Sequence, residues 1–174
     1  MLNALTFDVE DYFQVSALAS AVDRGNWETM PRRVVNNTTV IADMLAEKGV
    51  KATFFFLGWV ADRHPDLVRL VDRAGHEVAC HGYSHKLVYD QSREEFREET
   101  VRAKYLLEDI IQRPVLGYRA ASYSITGRSL WALDTLVDAG FTYDSSIFPV
   151  RHDRYGIPDS PRWPHRLRTP LGRE

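Results

Sequence analysis

A chain of 174 residues with 44% hydrophobic and 26% charged side chains is long enough for one globular domain. Such a domain buries roughly 70% of the surface its unfolded chain exposes, so a sizeable core needs no staples. A net charge of -2 excludes the basic field by which a protein binds nucleic acid or an anionic membrane through overall charge, and neither is an expected partner.

The single cysteine, Cys80, excludes an intramolecular disulfide and fits a reducing compartment; it reads as a small buried strand residue rather than a metal ligand. No stretch approaches the ~20 apolar residues of a membrane span. Met1 to Leu5 lacks the basic flank and long apolar core of an export signal, so a soluble, cytoplasmic protein is expected.

In chain order, Leu2 to Val9 alternates as a first strand and runs into Asp8, Glu10 and Asp11; in an extended chain Asp8 and Glu10 project to the same side. Tyr12 to Pro31 reads as a long loop with one short helix around Val15 to Val22. Asn36-Asn37 offers a cap for a helix over Thr39 to Leu45, stopped at Gly49. Lys51 to Leu57 is a nearly continuous apolar run, as expected of a strand covered on both faces, and Pro65 opens a helix over Asp66 to Asp72 that ends at Ala74-Gly75.

His76 to Cys80 forms a third strand and delivers His81 at its carboxyl end. Ser92 and Glu95 have the spacing of a capping box that opens a long amphipathic helix to Ile111, broken at Arg113-Pro114. Val115 to Tyr118 is a short fourth strand leading to Arg119. A helix over Ser129 to Ala139, closed by Gly140, precedes a fifth strand over Phe141 to Asp144. Trp59, Trp131 and Phe54 to Phe56 read as core, and His64 and His76 as surface or capping residues.

Five alternations of strand and helix argue for parallel strands, either in a barrel or in an open doubly wound sheet. In both, ligands bind at the carboxyl ends of the strands, where Asp8, Glu10, His81, His85 and Arg119 all fall. His81-Gly82-Tyr83-Ser84-His85 sets two imidazoles four residues apart, a spacing that offers both to one metal ion, and the acidic stretch Asp8 to Asp11 supplies the carboxylate that a hydrolytic metal site needs. From Pro149 the texture changes: five of the eight prolines and six arginines lie in 149–174. This Pro/Arg-rich extension cannot supply the further strand–helix units of a closed barrel, so residues 1–148 are expected to form the core of a barrel cut short before its last strands.

These residues resemble the polysaccharide deacetylase superfamily, carbohydrate esterase family four, over about residues 2 to 148. Thr6-Phe7-Asp8 is similar to the start of that family's Thr-Phe-Asp-Asp-Gly segment, with Val9-Glu10-Asp11 departing from it. His81-Gly82-Tyr83-Ser84-His85 resembles its His-Ser/Thr-x-x-His motif with glycine for the hydroxyl residue, and Arg119-Ala120-Ala121-Ser122 stands where Arg-x-Pro-Tyr is usual. The departures resemble the branch of peptidoglycan-deacetylase-like and allantoinase-like proteins, and more closely deacetylases of bacterial exopolysaccharide and exosortase loci.

The resemblance implies a distorted (β/α) barrel, an N-acetylated glycan substrate and a divalent metal, zinc foremost with cobalt or manganese as alternatives. It implies that His81 and His85 bind the metal, that Asp8 is the general base and that Arg119 orients and ionises Asp8. With Val9 at the usual ligand position, the carboxylate is Glu10 or Asp11, and strand alternation favours Glu10.

Chemically, two imidazoles and a carboxylate would leave open positions on the metal, which would lower the pKa of a bound water toward about 7 while Asp8 takes its proton and a backbone N–H, such as that of Ser122, steadies the oxyanion. The family's general acid is a histidine in a late Leu-x-His motif; neither His152 nor His165 has that context, so the acid is expected beyond Glu174 or the chain is inactive. Tyr83, Tyr123 and Trp27 fall in predicted mouth loops and are candidates for sugar stacking. The other readings are an allantoinase-like amide hydrolase and a noncatalytic carbohydrate-binding barrel; the oligomeric state is left open.

Overall fold

The structure is a computed structural model that describes residues 3–173. Five parallel strands, β1 (Thr6–Val9), β2 (Thr53–Phe56), β3 (Glu77–Cys80), β4 (Gly117–Tyr118) and β5 (Tyr143–Asp144), lie side by side in sequence order. A doubly wound sheet would reverse that order at a switch point. The sequential order is that of a barrel wall, here an arc whose outer strands β1 and β5 each pair on one side only among the described residues.

The register explains where the site lies. Val9 pairs with Phe56, Phe56 with Cys80, Cys80 with Tyr118 and Tyr118 with Asp144, so the strands end in one row. The next residue along each of β1, β3, β4 and β5 is Glu10, His81, Arg119 and Ser145, which are thereby brought to one edge of the sheet.

Between the strands run α1 (Val34–Glu47), α2 (Gly58–Arg63), α3 (Pro65–Arg73), α4 (Arg93–Ile111) and α5 (Trp131–Asp138). Phe54, Phe55, Phe56 and Leu57 are each at most 1% exposed, because β2 is covered on both faces. Each such side chain contributes on the order of 2 kcal/mol of burial. The capping box at Ser92 and Glu95 is formed and opens α4 as its spacing predicts.

Several expectations need correction. The helix expected to be capped at Asn36-Asn37 begins earlier: α1 starts at Val34, and the carboxylate of Asp11, 23 residues before it, takes the N–H groups of Arg33 and Val34 at 2.8 and 3.1 Å. The predicted mouth residue Trp27 is 4% exposed and packs edge-on against Trp59, with Phe13 beside both, so it closes the core; Tyr83 is likewise buried, its hydroxyl on Asp62. His76 is not at the surface but 2% exposed, its Nδ1 accepting from the Ala52 N–H and its ring against Phe54.

The helix expected in the Tyr12–Pro31 loop is instead three short 3-10 segments, Tyr12–Gln14, Ser16–Leu18 and Arg24–Thr29. The unpredicted α2 follows β2 directly. Its first N–H groups, those of Gly58 and Trp59, donate to the carbonyls of Gly82 and Tyr83. A Cβ on Gly58 would sit 2.6 Å from the Tyr83 ring, so glycine lets the His81–His85 loop seat against this helix.

Past β5 the described chain has no helix or strand, and it folds back: Thr169 donates to Asp134 of α5, and Arg173 pairs with Asp138. No helix among the described residues is long and apolar enough to cross a membrane.

Candidate metal centre

His81 leaves β3 with its ring 1% exposed. Its Nδ1 lies 2.8 Å from the carbonyl oxygen of Arg119, the residue beyond the neighbouring strand β4. That carbonyl can only accept, so Nδ1 carries the proton and Nε2 keeps its lone pair. Burial holds the His81 imidazole below its ordinary pKa, which keeps it neutral and able to ligate.

His85 is reached through a turn in which it adopts a left-handed backbone, φ 53°. The turn is clamped from outside: Ser84 donates its N–H and hydroxyl to Glu99 of α4, and Arg24 reaches the carbonyls of Ser84 and His85. His85 Nε2 then lies 2.8 Å from Glu10 Oε2, and His81 Nε2 lies 4.0 Å from the same oxygen.

Glu10, His81 and His85 offer one ligand atom each, all within 4.8 Å of one another. Glu10 Oε2 is buried without a hydrogen-bond partner, its near polar neighbour being His85 Nε2. Burial pushes the Glu10 carboxyl up, but the close contact with His85 counters it and the group stays below its ordinary range. A buried carboxylate oxygen without a hydrogen bond, facing two imidazole nitrogens, fits a divalent ion with bonds of about 2 Å.

Asp11, the other carboxylate considered, does not face the cluster. It is 2% exposed, and its oxygens accept from the backbone N–H groups of Tyr12, Arg33 and Val34. Asp11→Ala is therefore expected to lower the urea midpoint by an amount equivalent to about 1–2 kcal/mol while metal content stays unchanged. Loss of metal with unchanged stability would make Asp11 a ligand instead of a cap.

Beside the cluster, Asp8 Oδ1 accepts from Arg119 Nη1 at 2.7 Å, and its Oδ2 lies 3.9 Å from His81 Nε2. The Arg119 guanidinium is braced on all sides. Nη2 donates to Thr6 Oγ1 and Ser145 Oγ, Nε donates to the Ser145 carbonyl, and the group lies over the Phe55 ring at 4.1 Å. Behind it, Ser146 Oγ accepts from the Ala120 N–H at 2.7 Å and donates to Asp144 Oδ1, whose carboxyl is pushed up to about 6 by burial. Cys80, fully buried with its thiol pushed up to about 12 by burial, stays a strand residue.

The cluster opens into a cleft of about 230 Å³ with Asp8, Glu10, His81 and His85 on its floor. Ser16 and Ser122, whose hydroxyls bond each other at 2.9 Å, line one side, and His152, Arg154 and Tyr155 line another. Ser122 and Tyr123 have left-handed backbones, φ 48° and 53°, so three of the four non-glycine residues with positive φ among the described residues border this site. Backbone strain of about 1 kcal/mol or more per residue persists where surrounding structure holds it, and sites of binding and catalysis are where it collects.

Sequence motifs assign no site role to Ser16, Ser145 or Ser146, and Thr6 enters them only as the start of Thr6-Phe7-Asp8. The position directly after β5 was the available signal for Ser145. His152 stands on the cleft wall although no motif marks it; His165 is exposed and lies outside the cleft.

A parallel α/β arc that gathers two imidazoles and a carboxylate at its carboxyl edge, next to a guanidinium-held aspartate, defines a class of protein with a hydrolase-type candidate metal centre. Comparison narrows the class. The chain belongs to the polysaccharide deacetylase family, which it matches over residues 4–143.

Among curated relatives it is 34% identical over 70 residues to a peptidoglycan-N-acetylglucosamine deacetylase of Bacillus cereus, covering 40% of this chain and 26% of that protein. It is 30% identical over 121 residues to a chitooligosaccharide deacetylase of Sinorhizobium fredii, covering 69% of this chain and 55% of that one. A solved structure described as a putative polysaccharide deacetylase from Mycobacterium smegmatis superposes with a TM-score of 0.68 at 30% identity, over 83% of this chain and 50% of its own. The chain thus spans between a quarter and about half of the length of these relatives.

Proposed function

We propose that this chain carries the catalytic face of a metal-dependent deacetylase that hydrolyses the amide of N-acetyl groups on a glycan, in the setting of bacterial exopolysaccharide production. The carrying observation is the convergence of Glu10, His81 and His85 on one point with the Asp8–Arg119 pair beside it, in a chain of the polysaccharide deacetylase family. Glu10, His81 and His85 would hold the ion, with zinc the first candidate and cobalt or manganese the alternatives. When bound, such an ion polarises an acyl oxygen and acidifies water.

The remaining steps belong to side chains. Arg119 fixes Asp8 Oδ1, leaving Oδ2 to take the proton from the attacking water. The backbone N–H of Ser122, on the cleft wall, steadies the acyl oxygen as it gains charge. Proton donation to the leaving amine is assigned to His152. Its Nδ1 has a partner in each protonation state: Asp153 Oδ1 at 2.8 Å accepts from the imidazolium, and the Arg154 N–H at 3.1 Å donates to the neutral ring.

The test is acetate release from N-acetylglucosamine oligomers by the metal-loaded wild type and by His152→Ala. The wild type is expected to release acetate, and the variant to keep its metal and lose about 10²-fold or more in rate. Hydrolysis of a ureide such as allantoin without acetate from the oligomers would move the assignment to the cyclic-amide hydrolases. Oligomer binding with neither product would leave a noncatalytic carbohydrate module, and full activity in His152→Ala would place the acid elsewhere.

A further inference from the structure

The two imidazoles of the trio are held in different ways. His81 is oriented through its own ring, whose Nδ1 lies 2.8 Å from the Arg119 carbonyl oxygen. The ring of His85 has no equivalent: its Nδ1 lies 3.5 Å from Ser16 Oγ, at the outer limit of a hydrogen bond, and that hydroxyl also bonds Ser122 at 2.9 Å. An imidazole without a strong bond on its second nitrogen has to be placed through its backbone. The backbone of His85 is left-handed, φ 53°, in a turn that opens with a second left-handed residue, Gly82, so this turn does not hold its shape by local preference.

Helix α4 supplies what the turn lacks. Glu99 accepts the Ser84 N–H at 3.2 Å, the Ser84 hydroxyl lies 2.6 and 2.7 Å from its two oxygens, and Lys86 Nζ lies 3.5 Å from one of them. Glu99 therefore grips the residue before His85 and the residue after it. Three positions along the same helix face, Arg102 donates to the Tyr83 hydroxyl at 2.6 Å and lies 3.7 Å from the centre of its ring. The helix is itself anchored, because Phe96 is 1% exposed and packs edge-on against Tyr118 and Trp131. From the loop before α1, Arg24 donates to the carbonyls of Ser84 and His85, so the N–H, the hydroxyl and the carbonyl of Ser84 are all engaged.

We propose that Glu99 is a positioning residue of the metal centre: through Ser84 and Lys86 it fixes the turn that brings His85 Nε2 to Glu10, and thereby sets how tightly Glu10, His81 and His85 hold a divalent ion. The inference rests on the metal-dependent reading of this chain and adds to it a residue that lies outside both the ligand trio and the lining of the cleft. A carboxylate suits the task. It accepts from a backbone N–H and a hydroxyl of one residue at once, and a side chain without acceptors would leave both donors unpaired in a partly buried place.

Titration with cobalt(II), followed by its visible absorption, tests this without turnover, because the absorption bands of the ion report the ligands and geometry around it. The wild type is expected to bind about one ion per chain. Glu99→Ala is expected to weaken binding by about 10- to 100-fold and to alter the bands, and Glu99→Gln, whose amide still accepts the N–H and donates to the hydroxyl, to restore most of the affinity. Ser84→Ala removes one of the bonds and leaves α4 untouched; it is expected to weaken binding by about 3-fold or more, and it decides the matter if Glu99→Ala does not fold. Action through His85 also requires non-additivity: in a His85→Ala background, Glu99→Ala is expected to cost less than about 2-fold further. Equal losses in the two backgrounds overturn the proposal, as do undiminished affinity and unchanged bands in a folded Glu99→Ala or, failing that, Ser84→Ala protein. A wild type that binds no cobalt removes the metal-dependent reading and the proposal with it, whereas a cobalt-binding wild type with indifferent variants removes Glu99 alone.

Discussion

Asp8→Asn is expected to keep about one metal per chain and to lower acetate release from N-acetylglucosamine oligomers by about 10²–10⁴-fold, the range a general base contributes. The substitution preserves shape and removes the negative charge. Asp8 is placed for this role by two contacts of different kinds. Oδ1 is taken up by Arg119 at 2.7 Å, while Oδ2 is 3.9 Å from His81 Nε2 and outside the trio that Glu10, His81 and His85 form.

In the variant the guanidinium, only 7% exposed, faces a neutral amide while Thr6 and Ser145 still accept its other N–H bonds, so a loss of stability accompanies the loss of rate. Metal content, acetate release and the urea midpoint separate the readings. If metal is lost along with activity, Asp8 is a ligand; if activity survives within about tenfold, the base is another group.

The second large effect is expected at the imidazoles. His81→Ala and His85→Ala should each lower metal affinity by at least ~100-fold, since even groups behind the ligands are worth 10–100-fold. The two variants should differ in stability. His81 fills a buried site and satisfies the Arg119 carbonyl, so its removal leaves a cavity and an unpaired acceptor and costs on the order of 2–4 kcal/mol.

His85 has weaker hydrogen bonding through its ring, with Nδ1 3.5 Å from Ser16 Oγ, so His85→Ala should cost less. Metal content by mass spectrometry under native conditions, alongside urea unfolding, reads both. Full metal occupancy in a folded His85→Ala protein would remove His85 from the ligand set, and with it the geometry on which the deacetylase reading stands.

Much of the framework was legible because its causes are local. The apolar run at β2, the capping box at Ser92 and Glu95, and the Pro65 helix start each follow from neighbours in sequence, and each element formed near its expected place. The ends of β4 and β5 were less legible: two paired residues remain of the four expected in each, since pairing depends on the neighbour's register. Local reading failed where distant groups intervene. Asp11 caps a helix 23 positions later, so the Asn36-Asn37 signal was outcompeted by a carboxylate no window would contain. Trp27 sits in a loop by sequence and in the core by structure, because Phe13 and Trp59 supply the partners that bury it.

By itself the sequence determined the alternation of strand and helix and the residue types at the strand ends. Period, caps and breakers are properties of adjacent residues, and a parallel sheet places its strand ends on one edge whatever the order of its strands. Only the tertiary structure decided between a barrel-type arc and a doubly wound sheet, between Glu10 and Asp11 as the carboxylate facing the imidazoles, and that His152 and Tyr155 come to the cleft at all. Those outcomes depend on strand register and on a loop closed by backbone hydrogen bonds between residues 148 and 157, distances through space that no spacing along the chain encodes.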